Sequence, residues 1–130
     1  MTGGWNISLQ NNGSGSNIQF LEDKIYMTTT SAAYWGHYVN TINRIDLRKY
    51  QNLCIKYSSS TKYYSADWYG NYILISIIDQ EENTSIIAKI NPSTDEIVEK
   101  IDISGISDSY KIRINGGSIY FLNVYEVWLE

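Results

Sequence analysis

Hydrophobic and polar residues alternate with a period of two along much of this chain, which is the spacing of half-buried β-strands. The clearest case is the segment over residues 44–57, where two strand-like stretches flank a polar turn at residues 48–52. The second stretch has an apolar face and a mixed face, formed by Leu53, Ile55 and Tyr57 and by Cys54 and Lys56, respectively. We therefore expect this segment to form part of the core.

The same alternation predicts further strands on both sides of this segment. They cover residues 5–9, 18–21, 24–29, 41–47, 86–91, 96–103, 110–114, 118–122 and 125–129. Residues 72–79 are almost all apolar, which is typical of an inner strand covered on both faces. Residues 31–40 break the alternation, and we predict a loop there that crosses from one sheet to the other.

Turn residues predict how some of these strands pair. The polar pair Glu22-Asp23 predicts one hairpin, and the turn at Pro92 predicts a second between the strands before and after it. Asn115 and the two glycines after it predict a third. About ten short, mostly antiparallel strands with no convincing helix favour an all-β sandwich or barrel.

Three single residues are predicted to have structural roles. Asp46 and Asp102 each stand at a strand end, where the carboxylate is placed to accept backbone amide hydrogen bonds from the following turn. Cys54 is the only cysteine, so an internal disulfide and a cysteine-based zinc site are excluded. Its place inside a strand predicts a small buried apolar group.

Length and charge exclude several classes of partner. The 130 residues fit one domain over positions 1–130, and this domain could equally be excised from a larger protein. Ten basic residues stand against 14 acidic ones, with no basic run longer than Arg48-Lys49, so we expect no nucleic-acid partner. No apolar run approaches the roughly 18 residues of a membrane span, so we expect no membrane insertion.

The aromatic composition is the main pointer to function. Twelve tyrosines and four tryptophans stand against two phenylalanines, and seven of these tyrosines and tryptophans cluster in two predicted loops on either side of the segment 44–57. Their rings suit the apolar faces of sugars, while nearby acids and amides suit the hydroxyls. The predicted ligand-binding residues are Trp35, His37 and Tyr38 in the first loop and Tyr63, Asp67, Trp68 and Tyr69 in the second. The alternative is that the rings close the ends of the sandwich or form an interface between chains.

Catalytic and metal chemistry have little support in the sequence. His37 is the only histidine, so a histidine-cluster metal site is excluded, and no nucleophile motif accompanies it. Acids such as Asp67 and Asp79 are scattered, and most acids lie in predicted turns, where solvation explains them. We predict no catalytic residue, no cofactor and no metal site, with calcium at the Asp79–Asn83 turn left open beside an ordinary solvated turn.

Four short motifs resemble a known family. Residues 45–53 are similar to an "IDLTxYxxL" step, residues 101–104 to an "LDIS" element, residues 110–114 to a "YYIxI" strand and residues 127–130 to a closing "VWLE". In this order they resemble a β-sandwich module of tail, baseplate and prophage-associated proteins of Gram-positive bacteria and their phages. The resemblance implies a jelly-roll-like sandwich, similar in outline to carbohydrate-binding modules, within larger proteins that meet cell surfaces.

These observations lead to two functional expectations. The first is a non-catalytic recognition module on a phage tail, prophage or cell-surface protein, located on a virion tail or outside the cell, which binds a cell-surface glycan through its aromatic loops. The second is a structural or oligomerising module whose aromatic loops meet another copy or a neighbouring domain. The solution mass discriminates between them, because only the second requires a stable oligomer or a partner domain.

Overall fold

The computed structural model describes residues 7–11, 16–29, 38–63 and 72–130. These residues form eleven β-strands and one short 3-10 helix over Leu47–Lys49. The strands are β1 (Leu9–Asn11), β2 (Ser16–Phe20), β3 (Ile25–Thr29), β4 (Tyr38–Thr41), β5 (Ile45–Asp46), β6 (Asn52–Ser59), β7 (Ile73–Ile78), β8 (Thr84–Ile90), β9 (Ile97–Asp102), β10 (Ser109–Asn115) and β11 (Phe121–Leu129). Among the described residues, no helix is long and apolar enough to cross a membrane.

The strands form two antiparallel sheets, as the sequence predicts for a β-sandwich. A six-stranded sheet has the order β1-β4-β10-β7-β8, with β5 pairing beside β10, and a five-stranded sheet has the order β2-β3-β11-β6-β9. Along the described strands the chain passes from one sheet to the other seven times, between β1 and β2, β3 and β4, β5 and β6, β6 and β7, β8 and β9, β9 and β10, and β10 and β11. This repeated crossing is the jelly-roll-like arrangement that the family resemblance implies, and the all-β prediction is confirmed.

The core lies between the two sheets. Leu53, Ile55 and Tyr57 are at most 2% exposed, which confirms the inward face predicted for residues 53–57. The apolar strand β7 pairs with β10 on one side and β8 on the other and is buried along its whole length, so the predicted inner strand is also confirmed.

Two of the three predicted hairpins are wrong. The first is confirmed, because β2 pairs with β3 and the amide of Leu21 donates to the carbonyl of Lys24 across the turn. The strands on either side of Pro92 do not pair with each other, since β8 pairs with β7 and β9 with β6. The strands on either side of Asn115-Gly116-Gly117 also join different sheets.

Hydrogen bonds to the β8–β9 connection explain why Pro92 marks a crossing between sheets. The Tyr57 hydroxyl donates to the carbonyl of Asn91 at 2.6 Å, and the amide of Ser59 donates to the carbonyl of Ser93 at 2.6 Å. Both donors belong to β6 of the five-stranded sheet, whereas β8 belongs to the six-stranded sheet. The connection is therefore fixed to the far sheet before β9 begins.

Smaller predictions have mixed outcomes. Asp46 accepts from the amide of Arg48 at 3.1 Å and Asp102 from the amide of Ser104 at 2.8 Å, which confirms both turn roles. Cys54 is fully buried, and burial raises the pKa of its thiol. The single strand predicted over residues 41–47 is wrong, because β4 ends at Thr41 and β5 covers only two residues.

Candidate functional site

Two of the seven predicted ligand-binding residues, Tyr38 and Tyr63, belong to the part of the chain that the structure describes. The remaining five lie outside the described residues: Trp35, His37, Asp67, Trp68 and Tyr69. The strands that border residues 30–37 and 64–71 can nevertheless be placed. Tyr38 in β4 and Leu74 in β7 both pair with Asn115 of β10, one from each side. The chain therefore leaves both segments at the same end of the six-stranded sheet.

Tyr63 borders the second segment from the other direction. It forms an isolated antiparallel bridge with Ile119 in the connection between β10 and β11, and 40% of its surface is exposed. The amide of Tyr120 donates to the carbonyl of Lys62 at 3.2 Å, which holds this part of the chain in place. Tyr63 is thus an accessible ring at the sandwich end where β10 finishes.

Tyr38 is part of a compact polar cluster on the outer face of the six-stranded sheet. The guanidinium carbon of Arg113 lies 3.9 Å from the centre of the Tyr38 ring. The Nε of Arg113 also donates to the Oδ1 of Asn40 at 2.9 Å. These two contacts fix the position of the guanidinium, because one is to an aromatic ring and the other is a hydrogen bond at Nε.

The register extends this cluster across four strands. One row joins Tyr38, Asn115, Leu74 and Lys89, and the next row joins Asn40, Arg113, Ser76 and Ile86. Residues opposite each other in a sheet share a face, so all eight side chains project outward. We call this surface, together with Lys111 and the adjacent Tyr72, the Tyr38–Arg113 face.

The base of this face is already packed. Asn40, Leu74, Ser76 and Asn115 are each at most 8% exposed, although they project away from the core. The Oδ1 of Asn115 accepts from the amide of Gly117 at 2.7 Å, and Gly117 has a φ of 63°, a left-handed value that favours glycine. Short side chains therefore form a fixed base, on which the larger groups stand.

A second cation lies over a second ring on the same face. The Nζ of Lys89 is 5.8 Å from the centre of the Tyr72 ring, which stands just before β7. Tyr38, Tyr72, Arg113 and Lys111 are each partly exposed. Together they offer apolar ring surface, guanidinium and ammonium donors and nearby amides, which is the combination that carbohydrate recognition uses.

The outer face of the five-stranded sheet is built differently. Two of its lysines form ion pairs, Lys56 with Glu96 at 3.0 Å and Lys100 with Glu130 at 2.7 Å. One ring there also carries a cation, since the Nζ of Lys24 lies 5.4 Å from the centre of the Tyr26 ring. That sheet therefore supplies a control surface with similar residue types but balanced charge.

Other candidate sites have less to offer. Within the described ranges, no group of three or more His, Cys, Asp or Glu side chains is close enough to hold a metal ion. The Oδ1 of Asp79 accepts from the amides of Glu81 and Asn83, so this carboxylate stabilises its own turn. A cavity of about 220 Å³ near Ser8, Thr41 and Tyr50 lies at the opposite end of β4 from Tyr38, and it is smaller than most small-molecule sites.

The sequence prediction included Tyr38 but missed its partners. Arg113, Lys111, Asn40 and Lys89 lie in strands far apart in the sequence, and only the pairing register brings them together. One local signal was present, since Lys111 and Arg113 alternate with buried isoleucines in β10. Two cations on one strand face would have marked this surface.

The fold is that of carbohydrate-binding modules. No protein-family model matches the sequence, and no curated protein matches it. Similar solved structures include a carbohydrate-binding module of family 29, at 11% identity and a TM-score of 0.68 over 92% of this chain and 76% of that one. At this identity the likeness concerns the architecture of the sandwich.

Two further structures of similar sandwiches contain oligosaccharides. A variant of a family 29 module complexed with cellulohexaose has 11% identity and a TM-score of 0.68, over 92% of this chain and 78% of that one. A variant complexed with mannohexaose has 11% identity and a TM-score of 0.67, over 92% of this chain and 79% of that one.

Proposed function

We propose that this chain is a non-catalytic recognition module that binds glycan on the Tyr38–Arg113 face. The observation that carries the proposal is the contact of Arg113 with both Tyr38 and Asn40, which fixes a polar donor beside an aromatic ring. Residues 30–37 and 64–71 border this face in sequence, so Trp35, Trp68 and Tyr69 are proposed to contribute further rings.

The physical basis is preorganisation. A sugar ring presents C–H groups that pack against an aromatic ring, and its hydroxyls accept hydrogen bonds from nearby N–H groups. Because Arg113 is already held by Asn40, binding would not have to immobilise a long side chain, which otherwise costs roughly 0.5–1.5 kcal/mol. The oligosaccharide complexes of similar sandwiches support the same reading.

The module is further proposed to belong to a larger protein of a phage tail, a prophage or a cell surface. The resemblance of residues 45–53 to a motif of such proteins supports this context, and these residues form β5, the 3-10 helix and the start of β6. In that setting the expected ligand is a polysaccharide of a Gram-positive cell wall, reached from the virion tail or from outside the cell.

Calorimetric titration tests the proposed function. Cellohexaose, mannohexaose and Gram-positive wall polysaccharides are titrated into the parent chain and into Tyr38→Ala and Trp68→Ala. We expect at least one ligand to bind the parent, and each substitution to weaken its binding about tenfold or more, which is the scale of losing one stacked ring.

Tyr26→Ala is the matched control for Tyr38→Ala, because it also removes a ring that carries a cation, but on the other sheet. The control should bind like the parent. Equal weakening by the Tyr26 and Tyr38 substitutions would contradict the proposed site, and an absence of binding to every glycan would contradict the proposed function.

A structural or oligomerising role is the second candidate. Ile86 on the edge strand β8 is 38% exposed, and Val98 on the edge strand β9 is 48% exposed. Exposed apolar residues on edge strands favour pairing with another chain. Analytical ultracentrifugation separates the two candidates, because a stable dimer or trimer that Val98→Lys dissociates would support this role, whereas a monomer that binds glycan would support recognition.

A further inference from the structure

The Tyr38–Arg113 face carries a local charge opposite to that of the whole chain. The chain has a net charge of −4, yet the four strands β4, β7, β8 and β10 contain no aspartate or glutamate. The same strands contain three cations, Lys89, Lys111 and Arg113, and the register places all three on the outer face. A positive patch on a negatively charged chain attracts negatively charged ligands to that patch.

Two acids beside this sheet, Asp46 and Asp79, already accept hydrogen bonds from other groups. Asp46 in β5 accepts two hydrogen bonds from the Arg48 side chain, at 2.9 and 3.0 Å. Asp79 caps its own turn. The four ion pairs of the described residues involve neither Arg113 nor Lys111. Among the described residues, Asp46 and Asp79 therefore form no ion pair with Arg113 or Lys111.

Arg113 has hydrogen-bond donors that suit an anion. Its guanidinium contacts the Tyr38 ring, and its Nε donates to Asn40. A guanidinium has five N–H donors, and the Nη pair forms a fork that matches a carboxylate or phosphate. Lys111 lies on the same face of β10, two residues before Arg113, so the two residues are about 7 Å apart along the strand. This spacing suits a polymer with repeated charges.

We infer that the glycan bound by this face is anionic, a polysaccharide with carboxylate or phosphodiester groups that pair with Arg113 and Lys111 while its sugar rings pack against Tyr38 and Tyr72. This inference rests on the proposed function and specifies its ligand class. It also separates this chain from a module for neutral glucans, because only an anionic ligand brings a counter-charge to Arg113 and Lys111.

Titration with three ligands of similar length tests the inference on the intact chain. Cellohexaose is neutral, an oligogalacturonate carries carboxylates, and an oligosaccharide of hexoses joined through phosphate groups carries phosphodiesters. We expect one acidic ligand to bind at least tenfold more tightly than cellohexaose, and this preference to fall severalfold when the ionic strength rises to about 0.5 M, because salt screens exposed charges. Which acidic ligand binds better identifies the source of the charge.

Charge-removing variants provide the second readout. Arg113→Gln and Lys111→Gln should each weaken binding of the acidic ligand at least about fivefold more than they weaken binding of cellohexaose, because the acidic ligand loses a charge pair in addition to the hydrogen bonds that both ligands use. Lys56→Gln removes a cation from the opposite sheet and should leave the preference unchanged. Thermal unfolding verifies that each variant is folded, and Lys111 is only half-buried, so its replacement does not disturb the core.

Three outcomes would overturn the inference, and they are distinguishable from failure of the proposed function. Equal affinity for cellohexaose and both acidic ligands would leave glycan binding standing and remove the anionic preference. An equal effect of Lys56→Gln would show a general charge effect. Tight binding of single-stranded DNA of the same charge would assign the face to polyanions in general, whereas no binding of any glycan would also contradict the proposed function.

Discussion

The two outer sheet faces use the same kinds of side chain in different ways. On the five-stranded sheet, Lys56 and Lys100 are neutralised by Glu96 and Glu130. On the six-stranded sheet, Arg113 lies over a tyrosine ring, and no acid occurs in the four strands of its face. The comparison teaches that the net charge of a chain does not reveal how charge is distributed between its faces. Here the lysines of one face are paired with acids, while the four described strands of the other face contain cations and no acid.

The difference extends to hydroxyl and amide groups. On the five-stranded sheet, the Ser58 hydroxyl lies 2.8 Å from the Tyr125 hydroxyl and accepts from the Asn123 side chain at 3.2 Å. These groups bond to one another and stabilise the sheet. On the six-stranded sheet, Asn40 instead accepts a hydrogen bond from Nε of Arg113, a long cation that also contacts the Tyr38 ring. The polar groups of the five-stranded face bond to one another, whereas those of the six-stranded face hold a cation, which is why we propose the six-stranded face as the binding surface.

Charge reversal should give the largest effect. Arg113→Glu is expected to weaken binding of the preferred anionic glycan by roughly 30- to 100-fold, about 2–3 kcal/mol, because it replaces a charge-assisted donor with a repelling acceptor. Lys56→Glu makes the same reversal on the other sheet and should change the dissociation constant less than about twofold. Calorimetry measures both constants, and similar losses in the two variants would erase the distinction between the faces.

Removal of the Tyr57 hydroxyl should give the next largest effect, on stability and not on binding. Tyr57→Phe loses the bond to Asn91 and leaves that carbonyl without its donor, which should lower the free energy of unfolding by about 1–2 kcal/mol. Tyr63→Phe, at an exposed ring, should change it by less than about 0.5 kcal/mol. Urea unfolding measures both, and an equal loss in the two variants would contradict this role.

The effect of Tyr57→Phe should also depend on pH. Burial raises the pKa of Tyr57 from 10.0 to about 12 in the folded chain. The stabilisation is therefore complete below pH 10 and is lost as the pH rises through 12, because the unfolded chain ionises first. The stability gap between parent and variant should narrow over this interval, and a gap that widens there would be incompatible with a buried, protonated hydroxyl.

An acid added to the outer face of the six-stranded sheet should reduce its positive charge and make it resemble the charge-balanced face of the five-stranded sheet. Ile86 stands in the same row as Arg113 and is 38% exposed, so a carboxylate there would lie near the bound ligand without entering the core. Ile86→Glu should weaken anionic glycan binding twofold to fivefold, about 0.5–1 kcal/mol. Ile86→Gln introduces a side chain of the same shape as glutamate but without its charge, and this variant should bind like the parent. Identical constants for the two variants would mean that charge at this row is irrelevant.

The smallest effect is expected at the Lys100–Glu130 ion pair of the five-stranded face. The hydrogen bond from Lys100 holds the pKa of Glu130 below its ordinary value of 4.5, so this stabilisation is present at neutral pH and lost as the pH falls through that lowered value. Because the pair is exposed, Glu130→Gln should shift the melting temperature by less than about 2 °C at pH 7. A large shift in calorimetric scans would mean that the face depends on this pair.

Period-two alternation predicted most of the strands, but it predicted neither all of their bounds nor their partners. It placed Leu53 and Ile55 in the core, because burial on one face of a strand has a local signature. It does not specify which sheet a strand joins, and the Pro92 turn was therefore misread as a hairpin. The deciding contacts, from Tyr57 to Asn91 and between Ser59 and Ser93, join residues 34 positions apart.

The candidate site was predictable only at its aromatic residue. Tyr38 stood out because large rings in a polar context are unusual, whereas Arg113 and Lys111 are ordinary strand residues when read singly. Their meaning depends on β10 lying between β4 and β7, which is a property of the topology. The difference in charge between the two faces depends on the strand register and on the positions of the acids in several strands. No single segment of the sequence could therefore predict it.

The shared pairing of Tyr38 and Leu74 with Asn115 has a consequence for how such a domain diversifies. The hydrogen-bond ladders of β4 and β7 with β10 begin at Asn115 and continue along β10 towards its start. The register of these strands is therefore visible in the described residues alone. Side chains that project outward from these ladders, such as Lys111 and Arg113, can therefore change without changing the register of the strands. Replacing them would vary the charge of one surface while the order of the strands is kept.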